Sequence, residues 1–298
     1  MAMIALVSAG GSDGVTTSAT ALALQSSRPV LLAELDMSGG RLRHRLLADI
    51  ERAPGERLTR EIGLHKLPQA NWERAGEESD FTPYVSQHLW PMDDSDYRVV
   101  LPGLTDPRQA ASLTSVWPTL LNVLRLTDQN LKWDVLVDGG RMVVEAGGLH
   151  PVLTPAPVLH QADLVLLVVR DTPESQAFAY SMAKVLQAEL EKHGSGTRGL
   201  GVLLLGDRFH RDEVGHYLEI PVLGQLPWDE AGASYVMRGG KMPRGVSRSR
   251  LMRSAHDLMG PLREHADRRQ LHRQMRTQAT SPAAARLMQQ LQQGVRHG

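Results

Sequence analysis

Seven short aliphatic runs punctuate the chain, at 3–7 (MIALV), 29–35 (PVLLAEL), 97–101 (YRVVL), 133–137 (WDVLV), 162–169 (ADLVLLVV), 199–205 (GLGVLLL) and 221–226 (PVLGQL). An unbroken aliphatic run has no polar face to turn toward water, so it predicts a strand covered on both sides, as in a parallel sheet. Between the runs lie helical patterns at 15–26, 108–127 and 174–193, the last closed by Gly194 as a C-cap. Alternating strands and helices predict a doubly wound, mainly parallel α/β fold. In such sheets ligands sit at the carboxyl ends of the strands.

The chain has 298 residues, enough for one large α/β domain or two small ones. Hydrophobic residues make up 42% and charged residues 22%, ordinary for a chain with a real core, and aromatics only 4%, so that core is aliphatic. Lys+Arg 33 balance Asp+Glu 33, so only local charge clusters can inform on partners. There is no cysteine, which excludes a disulfide framework and thiolate metal sites and agrees with a reducing cytoplasm. The first apolar run lacks a basic leader and is soon broken by glycines, so it reads as a strand rather than a signal peptide, and no run reaches the ~20 residues of a membrane span. Residues 51–96 are polar and turn-rich without a clear period and read as an irregular insertion. The expected organisation is a doubly wound α/β domain over 1–260 and a basic helical tail over 261–298, which holds seven arginines.

After the first run comes Ala9-Gly10-Gly11-Ser12-Asp13-Gly14-Val15-Thr16-Thr17. Glycines between a strand and a helix let backbone N–H groups approach phosphate at the helix N-terminus, and a threonine opening the helix can place its hydroxyl on Mg²⁺. The second run is followed by Asp36 and the fourth by Asp138, each followed closely by a Gly-Gly pair. An aspartate ending a buried strand beside a phosphate loop can hold magnesium or its water. Three readings remain open on these residues: a P-loop triphosphate site, a dinucleotide site in which Ala9-x-Gly11-x-x-Gly14 is followed by Glu34 or Asp36 as a ribose contact, and a purely structural corner. The threonine pair and the two strand-end aspartates favour the first.

The set SAGGSDGVTT, VLLAELDMSGG, WDVLVDGG, ADLVLLVVRDTPES, LLLGDR and IPVLGQLPWDEA, spread in order over residues 1 to about 240, resembles the ParA/MinD family of deviant Walker ATPases, nearest to its actinobacterial MinD-like and pilus-positioning branches. The resemblance implies that Gly11, Ser12, Asp13, Gly14, Val15, Thr16 and Thr17 surround phosphate, that Asp36 orients the attacking water, and that Thr16, Asp36 and Asp138 serve magnesium directly or through water. Asp207 takes the place of a base-reading asparagine, and Pro227 belongs to the adenine-side loop. It also implies ATP or ADP with magnesium as cofactor, a face-to-face homodimer, a protein partner, and a cytoplasmic, focal or polar location.

The departures concern charge. The family's loop carries two lysines, and these align with Gly10 and Val15. Phosphoryl transfer depends on positioning and on charge stabilisation, so slow or absent hydrolysis is expected. Arg41 or Arg43 could substitute, or could simply be solvated. Arg238, Lys241, Arg244, Arg248, Arg250 and Arg253 form a basic surface that could meet DNA or anionic lipid, or could be a solvated face. The final pattern Ala284, Leu287, Met288, Leu291, Val295 has helical spacing, but no aromatic residue and few cations, which suits a docking helix better than a membrane anchor. His210 and His216 show no metal spacing. The expected function is a positioning or scaffold protein with a degenerate nucleotide site; an active partitioning ATPase and a dinucleotide-binding protein are the alternatives.

Overall fold

The computed structural model describes residues 2–11, 13–73, 81–129, 132–194, 196–238, 245 and 248–279, without the side chains of 72, 73, 128, 129, 238 and 272–279. All seven aliphatic runs form strands of one eight-stranded sheet. They are β1 (Met3–Ser8), β2 (Val30–Glu34), β4 (Arg98–Leu101), β5 (Asp134–Arg141), β6 (Leu164–Arg170), β7 (Leu200–Leu205) and β8 (Val222–Leu226); the eighth, β3 (Trp90–Pro91), lies inside the 51–96 stretch. The order is β8-β7-β6-β1-β5-β2-β4-β3, with every pairing parallel except β3 against β4. The alternation of side chains along β1 splits the core into two. Met3, Ala5 and Val7 point into one apolar cluster, and Ile4 and Leu6 into the other.

Helices α4 (Trp117–Gln129), α5 (Ala156–Gln161), α6 (Pro173–His193) and α7 (Arg211–Leu218) cover the first face. Helices α1 (Val15–Leu24), α8 (Glu230–Arg238) and α9 (Arg250–Ala279) cover the second. The fold is therefore the doubly wound architecture expected from the pattern. The 108–127 pattern divides into a tight 3-10 stretch, Pro107–Ser115, capped by Asp106, and α4.

The 51–96 stretch is less irregular than its sequence. It holds a hairpin of Glu51–Ala53 and Glu56–Arg57, then α2 (Leu67–Glu73), α3 (Thr82–Gln87) and the edge strand β3. These elements are too short for a period to register. Leu64, Leu67, Ala70 and Val85 are buried in the main core, and Trp90 is buried with its indole N–H donating to the Ile50 carbonyl at 3.0 Å.

The boundary expected at 260/261 falls within α9, a helix of 30 residues that runs through Pro261. Leu251, Met252, Ala255, Met259, Leu262 and Ala266 recur at helical spacing and are buried against the sheet. Arg263 is also internal. Its Nε donates to Asp134 Oδ2 at 2.7 Å, and Asp134, at the start of β5, is fully buried. The remainder of the tail, 280–298, with its Ala284–Val295 pattern, lies outside the described residues.

Removing one partner of a buried ion pair leaves a desolvated charge. Arg263→Ala is expected to cost about 3–5 kcal/mol in equilibrium urea unfolding, and the double change Arg263→Met with Asp134→Leu to recover most of that loss. A single variant as stable as the parent would show that α9 is not anchored through this pair.

Candidate phosphate-binding site

The loop that follows β1 closes on itself. Gly14 occupies the position before α1 with φ +85°, and a Cβ there would meet Leu205 Cδ1 at 2.7 Å, so the turn demands glycine. Its carbonyl accepts from Ser18 N–H at 2.9 Å, starting the helix. Ser8 Oγ donates to the Gly10 carbonyl at 2.7 Å, and Gly10 N–H donates to Asp13 Oδ2 at 2.9 Å. The Asp13 carboxylate thus takes up a backbone donor of the loop. Burial pushes Asp13 above the usual carboxylate range, opposed by the Gly10 N–H, the Arg170 charge and the Ser175 hydroxyl. Val15 is 5% exposed and packs in the core with Leu22 and Leu166.

Three carboxylates meet where β2 and β5 end. The register puts Glu34 opposite Asp138. Glu34 accepts from the backbone N–H groups of Arg41 at 2.5 Å, Leu42 at 2.9 Å and Gly103 at 2.8 Å. Even so, complete burial pushes it above its ordinary range. The dinucleotide reading offered Glu34 as a ribose contact. It is 1% exposed beneath these donors and cannot reach a ligand. Asp36 accepts from the N–H of Ser38 at 2.8 Å and its hydroxyl at 2.6 Å, and lies against Gly140. At Gly140, with φ +62°, a Cβ would sit 2.3 Å from the Asp36 carboxyl carbon, so only glycine permits this approach.

Asp138 is fully buried. Its Oδ1 accepts from Gly140 N–H at 3.1 Å, while its Oδ2 has no hydrogen-bond partner among the described residues. Burial, then the charges of Glu34 and Asp36, push it up to about 7, opposed by Thr16 and Gly140.

A cavity of about 350 Å³ opens on this arrangement, with Gly11, Asp13, Thr16, Asp36, Arg41 and Gly140 among its walls. A second, mostly apolar hollow of about 330 Å³ shares Gly14, Thr17 and Met237 with it and reaches Pro227 and Trp228. The structure therefore unites Gly11, Asp13, Gly14, Val15, Thr16, Thr17, Asp36 and Asp138, with Pro227 at the far end of a joined trough. Ser12 lies outside the described residues. Asp207 borders a different surface hollow, exposed and paired with Arg250 at 2.9 Å.

Of the two arginines weighed as lysine substitutes, Arg41 lines the cavity. Arg43 turns away, buried, and donates to the carbonyls of Thr59 and Ile62. Arg45 and Arg141 also line the cavity. Both escape sequence reasoning, because neither lies in a recognisable motif. Of the basic surface, Arg253 is exposed, Arg248 is exposed and Arg250 is paired; Lys241, Arg244 and the side chain of Arg238 lie outside the described residues. His210 caps α7 by accepting from Asp212 N–H, an ordinary structural role.

A ParA-family ATPase from Chlorobium tepidum TLS has a similar structure, with a TM-score of 0.60 and 16% identity, over 87% of this chain and 98% of that one. The chain has the ParA/MinD fold. The septum site-determining protein MinD of Pyrococcus horikoshii OT3, solved with Mg-ADP, matches with a TM-score of 0.59 and 15% identity, over 90% and 98%. The MinD cell division protein of Aquifex aeolicus matches at 0.57 and 16%, over 89% and 97%. No protein-family model and no curated protein matches the sequence. Within the ParA/MinD fold the loop after β1 and the ends of β2 and β5 are neighbours through the strand order alone. Among the described residues no helix is long and apolar enough to cross a membrane.

Two outcomes follow from the carboxylates. The folded chain holds a proton on Asp138 between about pH 4 and 7, where the unfolded chain has released it, so this residue's contribution to stability declines as pH rises through that window. Asp138→Asn is expected to melt above the parent at pH 8, by on the order of 2 kcal/mol, and to converge with it near pH 4 in thermal unfolding without magnesium. Asp13→Ala frees the Gly10 N–H and removes a negative charge from the loop. It is expected to tighten phosphate-ligand binding by about 5- to 10-fold in calorimetry, and an unchanged affinity would show that the carboxylate does not compete.

Proposed function

We propose that this chain is a ParA/MinD-like positioning or scaffold protein in which a bound magnesium nucleotide is a structural element that supports a homodimer and a partner-binding state. Hydrolysis plays little or no part. The observation that carries the reading is the pair Gly10 and Val15. One has no side chain, and the other is an aliphatic group in the core. Both positions that hold cations in the resembling family thus lack charge, while the rest of the cradle persists.

The residues present fit the group. Gly14, Val15, Thr16 and Thr17, at the start of α1, line the cavity, where a helix N-terminus suits an anion, and the Thr16 hydroxyl interacts with the buried Asp138 carboxylate. Thr16 and Asp138 would hold magnesium or its water, and the metal would neutralise phosphate charge. Asp36, held by Ser38, is placed to fix a water molecule. Its two acceptor bonds hold it still without supplying the positive charge that a transferring phosphoryl group needs. The hollow at Pro227 and Trp228 offers an apolar wall to a base.

A second reading, the ATP-driven partitioning switch, is favoured by Arg41 at the cavity wall. The two separate in one experiment. Calorimetry with ATP, ADP, GTP and NAD, with and without magnesium, runs beside a steady-state hydrolysis assay on the same sample. Magnesium-ATP binding without turnover, and a shift to dimer in sedimentation, is the expected result. Turnover abolished by Asp36→Ala would establish the switch instead, and preferential NAD binding would revive the dinucleotide reading. The basic surface and α9 are the proposed contact for a protein partner, with nonspecific DNA second. DNA binding that falls steeply with salt would reverse that order.

A further inference from the structure

Most arginines with described side chains in this protein have partners. Arg52, Arg57, Arg98, Arg108, Arg250 and Arg263 each pair with a carboxylate. Arg43 is spent on two carbonyls, and Arg170 lies over the Trp228 ring. Arg41, Arg45 and Arg141 are different. All three line the cavity at the phosphate loop, all three are exposed, and among the described residues none makes a side-chain hydrogen bond or ion pair. On the same walls the three guanidinium charges outnumber the carboxylates of Asp13 and Asp36, so the cavity favours a bound anion.

Their backbones are held firmly, so the convergence belongs to the fold. Arg41 N–H donates to the buried Glu34 carboxylate, and Arg45 N–H to the Leu42 carbonyl at 3.1 Å. Arg141 closes β5 in register with Ser8, just after the left-handed Gly140. The three come from two separate parts of the fold. The phosphate loop follows β1, Arg141 ends the neighbouring β5, and Arg41 and Arg45 lie on the segment leaving β2, one strand further. Two strand spacings make about 10 Å, wider than one phosphate can bridge while touching both the loop and the far arginines. Guanidinium groups suit this task because they grip phosphate oxygens through paired N–H donors.

We propose that Arg41, Arg45 and Arg141 are the phosphate-gripping cations of this cavity, replacing the loop lysines from across the site and selecting an extended polyphosphate chain with magnesium over a single phosphate. The inference rests on reading the cavity as a phosphate site, and it names the groups that hold the ligand and the class of anion they prefer.

The probes are inorganic triphosphate, pyrophosphate and phosphate, each with magnesium, titrated into the full chain by calorimetry, with ATP in parallel. The triple variant Arg41→Ala, Arg45→Ala, Arg141→Ala is compared with a control lacking Arg57, Arg108 and Arg198 on the outer surface, and thermal melts verify that both fold. Triphosphate is expected to bind at least about 10-fold more tightly than phosphate, and the triple variant to lose about 30-fold or more while the control loses little. A folded triple variant that binds triphosphate as the parent does overturns the proposal, as does equal affinity for phosphate and triphosphate. If ATP binds parent and triple variant alike, the arginine assignment fails and the nucleotide reading stands. If triphosphate binds through the arginines and ATP does not, the anion site stands and the nucleotide reading fails.

Discussion

The Glu34 carboxylate, buried at the end of β2 and held by three backbone N–H groups, is the interaction on which the rest of the site depends. The β2–β5 register sets Glu34 opposite Asp138, so two acids share the dry end of the sheet. Glu34 is satisfied by drawing the chain at 41–42 and at Gly103 over itself. That fold-back decides where Arg41 begins, sends Arg43 inward and carries Arg45 to the cavity. One desolvated acid thereby shapes a cavity wall that its own side chain never touches.

Asp138 is left in the opposite condition. Its Oδ2 is buried without a complete bond, and its proton is held well above the usual carboxylate range. Burial favours the neutral acid, so at this position the proton does what a neighbouring cation would otherwise do. The loop itself is more reserved. Asp13 already occupies the Gly10 N–H, which removes one backbone donor from any other acceptor at the loop. Together these features place acids at the ends of β2 and β5 and arginines on the cavity wall rather than in the loop.

The same economy of charge appears along α9, on the face of the sheet that α1 also covers. The arginine-rich C-terminal segment reads as an electrostatic surface, yet Arg263 reaches inward to Asp134 and Arg250 is paired with Asp207. The helix that carries them covers one face of the sheet through its apolar stripe. Basic composition there serves packing as well as any partner.

Much of this was legible in the amino-acid order. Aliphatic runs without a polar face suit a covered sheet, and Gly14, Thr16 and Asp36 follow the strands because strand and turn are local events, whereas Asp138, expected just past its run, lies within β5, which continues to Arg141. The short helices of the 51–96 stretch were hidden because an element of one or two turns shows no period. The role of Glu34, the inward turn of Arg43 and the convergence of Arg41, Arg45 and Arg141 were hidden for a different reason. They depend on strand order, which brings β5 between β1 and β2 although it follows them by some hundred residues. The sequence by itself determined the fold class and a glycine-rich loop without a lysine, since these rest on local pattern and residue identity. Only the tertiary structure decided which charges share the cavity, because burial and register, which choose a side chain's neighbours, belong to the assembled sheet.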